Sequence, residues 1–141
     1  MVKALAANPA ITVTGRVNDV RGYVRYADVS VAPLRIARGL QNKVLEAMAM
    51  AMPVVATAQA FQGIDAQPGR DLLIGADAEG FAAAAVSLLS NGELAAQVGQ
   101  SARTAVEQTY SWPDQMAGLD HVLARIQADA PVPQPARTGT A

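Results

Sequence analysis

One helix that is apolar on nearly every side, followed at once by a buried strand, constrains the fold of this chain most. Residues 40–52 have helical composition, and their only marked polar stripe is made by Lys43 and Glu46, with Asn42 beside it. The β-branched run at residues 53–57 reads as a strand. A helix that is apolar almost all round packs inside a layered α/β domain. Polar residues just after Gly39, at a helix start, lie where an anion can bind, so we expect a phosphate-containing ligand.

Strands and helices alternate along the chain, which predicts a Rossmann-like parallel sheet of about four strands flanked by helices. The expected strands are residues 11–15, 28–33, 53–57 and 72–75. The expected helices are one capped by Asn18 or Asp19, one at residues 40–52, one capped by Asp77 and ended by Asn91-Gly92, a following one that runs to about Tyr110, and one at residues 113–127. Ligands of such sheets bind beyond the carboxyl ends of the strands. The corresponding loops are residues 16–19, 33–39 and 58–63.

Composition limits the chemistry available to this chain. With 141 residues, one domain at residues 1–128 is expected, and the Pro-, Thr- and Ala-rich residues 129–141 read as a disordered tail. No cysteine and a single histidine, His121, exclude disulfides, thiolate metal sites and a multi-histidine metal site. A net charge of −1 without a basic run argues against a nucleic-acid partner. No apolar stretch is long enough to span a membrane, so we expect a cytoplasmic protein.

Several short motifs follow one another in the order seen in a known family. They are Gly15-Arg16-Val17, residues 26–33, residues 39–49, residues 53–57 and the closing Tyr110-Ser111-Trp112. Together they resemble the C-terminal, donor-binding domain of retaining group 1 glycosyltransferases of the GT-B fold, over residues 11–126. Residues 35–43 are similar to sugar transferases of exopolysaccharide and exosortase gene systems. The resemblance implies transfer of a sugar from a nucleotide diphosphate to an acceptor hydroxyl, with retention.

The resemblance also implies roles for individual residues. Glu46 matches the second of two family glutamates and is expected to bind the ribose hydroxyls of the donor. Arg38 stands where the family has the first glutamate, which contacts the donor sugar; an arginine there can pair with a phosphate or with an acidic sugar. Small Gly39 lets the backbone N–H groups of Gly39, Leu40 and Gln41 approach the diphosphate. Further expected donor contacts are Arg16, Arg35, Asn42 and Lys43.

Each of these residues also has a plainer interpretation. Lys43 and Glu46 are spaced to form a surface ion pair on a helix, and Gly39 serves a tight turn equally well. The three arginines can be solvent-facing charges, and Asn42 can cap the helix. No catalytic residue, metal or cofactor is assigned.

The resemblance covers part of one domain of a two-domain family. An acceptor domain and two upstream strand–helix units are missing, so we expect the isolated chain to be an inactive, truncated donor-binding module. The alternative is a module that acts only by association, as a homodimer joined through an open sheet edge. A third possibility is regulation by nucleotide binding without turnover.

Overall fold

The computed structural model describes residues 2–111, 116, 123, 125 and 126. The predicted tail, most of the predicted helix at 113–127, Trp112 and His121 lie outside the described residues. The elements are α1 (Val2–Leu5), α2 (Arg21–Arg25), β1 (Ser30–Ala32), α3 (Asn42–Ala49), β2 (Val54–Thr57), α4 (Ala58–Phe61), β3 (Leu73–Gly75), α5 (Ala78–Ser90) and α6 (Gly92–Thr109).

The three strands form one parallel sheet in the order β1-β2-β3. Val31 of β1 lies opposite Val55 of β2, and Ala56 of β2 lies opposite Ile74 of β3. β2 is buried at Val54, Val55 and Ala56 because helices cover both of its faces. Such a central parallel strand carries a continuous apolar run, as the sequence predicted.

The core has one cluster on each face of the sheet. On one face, Val54 and Ala56 pack with the buried side chains Val44 and Met48 of α3. On the other face, Val55 packs with Leu88 of α5 and Val98 of α6. A helix at this position is therefore confirmed, but α3 is shorter than residues 40–52 and is not buried all round. Only its face toward the sheet, with Val44, Ala47 and Met48, is buried. Asn42, Lys43, Glu46 and Ala49 are exposed, so the expectation of a helix that is apolar on nearly every side is wrong.

The strand predicted at residues 11–15 is wrong. No residue of this segment belongs to a strand, and Ile11 and Val13 are 39% and 41% exposed. The sheet of the described residues therefore has three strands rather than about four. β-Branched residues favour extended backbone, but a strand forms only where a neighbour supplies its hydrogen bonds.

Side-chain caps begin the two helices that follow β3, α5 and α6. Asp77 Oδ1 accepts a hydrogen bond from the Gly80 N–H at 2.7 Å, which confirms the predicted cap of α5. Asn91 Oδ1 accepts from the Leu94 N–H at 3.0 Å and caps α6; the predicted end of α5 at Asn91-Gly92 and a helix from there to about Tyr110 are confirmed, but this cap was not predicted. The short helix α4 was not predicted, because residues 58–63 read as a loop.

Helix α6 approaches the connection between α3 and β2 so closely that only glycine fits at residue 99. A Cβ atom on Gly99 would overlap the carbonyl oxygen of Ala51 and lie 3.0 Å from its carbonyl carbon. Ala51 itself has a φ of 55°, a left-handed conformation that costs a non-glycine residue about 1–2 kcal/mol. The turn after α3 is thus shaped by contact with α6.

A buried carboxylate organises the connection between α4 and β3. The Asp71 side chain is fully buried; its Oδ2 accepts from the Gln67 N–H at 2.8 Å, and its Oδ1 accepts from Arg70 Nε at 2.7 Å. The Arg70 guanidinium lowers the pKa of Asp71, burial opposes that shift, and the Gln67 N–H reinforces it. Nearby, the Tyr110 hydroxyl accepts from the Asp65 N–H at 2.7 Å and fixes the end of α6 to this connection.

Candidate functional site

A cleft of about 830 Å³ opens at the carboxyl ends of the three strands. Its lining residues are Pro33, Leu34 and Arg35 after β1, Thr57 and Gln59 at the end of β2, and Gly75, Ala76, Asp77, Ala78 and Phe81 after β3. Two of the loops in which the sequence placed ligand binding, 33–39 and 58–63, contribute to this cleft. Sequence reasoning missed the third wall, since it treated Asp77 only as a helix cap.

The cleft combines an apolar lining with polar groups at separate points. Pro33, Leu34 and Phe81 supply apolar surface, whereas Arg35, Gln59 and Asp77 supply the polar groups. Such a mixture, in a concave site of several hundred cubic ångströms, is typical of small-molecule sites.

Thr57 holds two walls of the cleft together. Its hydroxyl donates to the carbonyl oxygen of Leu34 at 2.7 Å and accepts from the Ala60 N–H at 3.2 Å. The first bond joins the loop after β1 to the end of β2, and the second caps the start of α4. A threonine three residues before Ala60 is a recognisable N-cap pattern, so the sequence did contain a signal for α4.

The third wall depends on a glycine that admits a close approach of α5. A Cβ atom on Gly75 would lie 2.5 Å from the Phe81 Cβ and 2.6 Å from the Phe81 N. The first turn of α5 therefore reaches the end of β3. Because the Asp77 carboxylate already caps this turn, the start of α5 is electrostatically unsuited to a second anion.

The start of α3 is different, since neither a cap nor an acid occupies it. The residue before the helix, Gln41, makes no capping bond, and the first turn of α3 contains no acidic residue. The Gln41 Nε2 instead donates back to the Gly39 carbonyl at 3.0 Å. Gly39 has a φ of +67°, which meets the requirement for glycine in a tight turn, and open space surrounds the position of its missing Cβ. The uncapped N–H groups and exposed Asn42 and Lys43 together favour an anion.

The predicted donor residues fall into separate positions. Arg35 lines the cleft, whereas Gly39, Asn42, Lys43 and Glu46 are not among its lining residues. Lys43 and Glu46 are both exposed, and no ion pair joins them within the described part of the chain, so the surface-pair interpretation has no support.

Two further candidate positions are outside the cleft. Arg38 is exposed in the turn before Gly39. Arg16 is exposed too, and the strand end at which it was expected does not exist, because residues 11–15 form no strand. Residues 2–111 and the few described beyond them contain no cluster of three or more potential metal ligands. They also contain no helix with the length and apolar character needed to cross a membrane.

Comparison with known proteins identifies the family and the fold. Residues 1–91 match the family model described as Glycosyl transferases group 1. No curated protein matches the chain. Among solved structures, sucrose-phosphate synthase from Thermosynechococcus elongatus superposes with a TM-score of 0.74 at 24% identity, over 92% of this chain and 33% of that structure. The chain thus spans about a third of that structure's length, and the likeness confirms the predicted α/β fold as a fragment of the GT-B type.

Proposed function

Because the chain belongs to the group 1 glycosyl transferase family, we propose that it binds the nucleotide-diphosphate sugar of a retaining glycosyltransferase. The observation that carries this proposal is the uncapped, acid-free start of α3 beside the Gly39 turn. Transfer of the sugar leaves a diphosphate, whose charge is stabilised by fixed backbone N–H groups and cations. The N–H groups of residues 39–41, with Arg38 and Lys43, serve that purpose here.

Glu46 is the proposed ligand of the ribose hydroxyls. It lies one turn after Asn42 and Lys43 on α3, and its carboxylate is exposed. A carboxylate accepts hydrogen bonds from a pair of neighbouring hydroxyls, which suits a ribose. In this proposal the diphosphate binds at the helix start and the ribose one turn further along.

In this proposal the chain binds the donor and does not turn it over. The acceptor and the biosynthetic setting that we propose are those of exopolysaccharide-type sugar transferases, on the likeness of residues 35–43 to that group. Hydrolysis or transfer of a nucleotide sugar by the chain alone would contradict this part of the proposal.

An NMR shift titration with UDP, GDP and ADP tests donor binding directly. We expect shifts centred on residues 39–46 with a Kd of about 1 mM, equivalent to about −4 kcal/mol. Glu46→Ala should abolish or strongly weaken them. Glu93→Ala, which removes an exposed glutamate from the first turn of α6, is the matched control and should leave them unchanged. The absence of shifts with all three nucleotides would refute the proposed function.

A second function, association through the sheet edge, is favoured by the exposure of β1. Among the described residues β1 pairs with β2 alone, and its Val31 is 51% exposed. Nearby in sequence, Tyr26 is 86% exposed. An unpaired strand edge with apolar surface invites pairing with a second chain. We propose a homodimer through this edge as the alternative.

Analytical ultracentrifugation tests the alternative. A concentration-dependent dimer that Val31→Lys dissociates is expected, since a charge on an edge strand opposes pairing. Val86→Lys, the same change at an exposed position of α5, should leave the dimer intact. A monomer at all concentrations would exclude this function.

A further inference from the structure

Cationic side chains lie at two positions around the turn between β1 and α3. Residues 33–43 contain Arg35, Arg38 and Lys43 and no acidic residue, although the whole chain has a net charge of −1. Arg35 lines the cleft, whereas Arg38 and Lys43 flank the start of α3 outside its lining. A diphosphate at the start of α3 accounts for the second position only. The charge of Arg35 needs a different partner.

The Arg35 guanidinium has no ion-pair or hydrogen-bond partner among the residues that the structure describes. Among the described residues it makes no ion pair, even though Asp77 lines the same cleft. Asp77 is instead engaged at Oδ1 by the Gly80 N–H, and the positive end of α5 offsets its charge. A guanidinium that faces a cleft without an ion-pair partner is suited to a carboxylate, which it binds through two parallel hydrogen bonds.

The rest of the cleft has the chemistry of a sugar site. The Gln59 amide and Asp77 Oδ2 have no hydrogen-bond partner within the described chain, so both can bind hydroxyl groups. Leu34 and Phe81 supply apolar surface for the C–H face of a pyranose ring. Hydroxyls, an apolar ring face and one carboxylate occur together in a uronic acid or a similar acidic sugar.

One ligand can reach both positions. Arg35 and Gly39 are four residues apart, so their backbones are separated by at most about 14 Å. A nucleotide-sugar with its diphosphate at the start of α3 can therefore extend its sugar toward Arg35. We propose that the transferred sugar is acidic and that Arg35 binds its carboxylate; this inference rests on the proposed donor-binding function.

The test compares acidic and neutral donors that share a nucleotide. UDP-glucuronate is paired with UDP-glucose, and GDP-mannuronate with GDP-mannose, with Kd values from NMR titration of the whole chain. In one of these pairs we expect the acidic donor to bind about fivefold more tightly, the factor equivalent to about 1 kcal/mol for an exposed ion pair. Arg35→Gln should remove that preference. Arg25→Gln, which removes an exposed arginine at the end of α2, should retain it.

The outcomes separate the two proposals. Binding of UDP or GDP without any preference for an acidic sugar refutes the acidic-sugar inference and leaves donor binding in place. A preference that survives in Arg35→Gln also refutes it, because the carboxylate then binds elsewhere. Failure of every nucleotide and nucleotide-sugar to bind refutes both. Dispersed amide spectra of each variant exclude loss of the fold as the cause.

Discussion

A methyl group at residue 99 has no space in this fold, although alanine is the better helix former. In an exposed helix, replacing glycine by alanine stabilises by about 1 kcal/mol. At Gly99 the new Cβ would overlap the carbonyl oxygen of Ala51 and lie 3.5 Å from the Pro53 N. The obstruction is backbone, so α6 or the turn must move, and such overpacking costs about 1–3 kcal/mol and occasionally more. Because the overlap with the Ala51 carbonyl oxygen is deep, we place the overpacking cost at about 2–3 kcal/mol. After the gain of about 1 kcal/mol in helix propensity, Gly99→Ala should lower the free energy of unfolding by about 1–2 kcal/mol.

Urea unfolding followed by circular dichroism measures this effect. With a slope of about 2 kcal/mol per molar urea, the midpoint should fall by about 0.5–1 M. Gly92→Ala is the matched control in the same helix: nothing lies within 4 Å of its missing Cβ, so it should leave the midpoint equal or slightly raised. A Gly99→Ala midpoint at or above that of the unmodified chain, with an unchanged slope, would show that the approach of α6 is looser than described.

Three further predictions concern the free energy of unfolding, which is measured in each case from the midpoint of urea unfolding. Ala51→Gly should raise the free energy of unfolding by about 0.5–1 kcal/mol by relieving the left-handed φ. Ala49→Gly, at the last residue of α3, should instead lower it by up to about 1 kcal/mol, and equal effects of the two changes would contradict the strain at Ala51. Because Arg70 lowers the pKa of Asp71, the stabilisation from this carboxylate is complete above its unfolded pKa of about 3.9 and is lost as pH falls through the folded value. The free energy of unfolding of the unmodified chain should therefore exceed that of Asp71→Asn by less at pH 2 than at pH 6. A difference that stays constant over this range would refute the prediction. Thr57→Val should lower the free energy of unfolding by about 1–2 kcal/mol, because two hydrogen bonds are lost at nearly constant side-chain volume. No change would mean that the Thr57 hydroxyl does not stabilise the fold.

Local sequence patterns predicted the central elements of the fold well, and the reason is burial. The run at β2 is apolar because both faces are covered, and the buried face of α3 is apolar because it packs against the sheet. The cap at Asp77 was predicted because it needs only a side chain and an N–H three residues later. Asn91 has the same pattern with Leu94, but Asn91-Gly92 was interpreted only as the end of α5. These features depend on residues near one another in the chain.

The errors concern pairing across the chain. Residues 11–15 have strand composition, but composition does not say whether a neighbouring strand is available, and the described part of the chain pairs none with them. The same limit applies to the site. The loops after β1 and β2 were predicted to meet, but the contribution of Gly75 and Phe81 depends on how closely α5 approaches β3, which no local pattern specifies. The donor roles of residues 39–46 stay predictions.

The Thr57 hydroxyl determines how the cleft meets a ligand. Since one oxygen atom joins the loop after β1 to the first turn of α4, the spacing of these two walls is set during folding, before any ligand arrives. Ordering two independent loops at the moment of binding would reduce affinity, because each immobilised segment loses conformational entropy. A cleft whose walls share one hydroxyl has already lost that freedom. Ligand binding here should therefore be preorganised, with an entropic cost confined to the exposed side chains of Arg35 and Gln59.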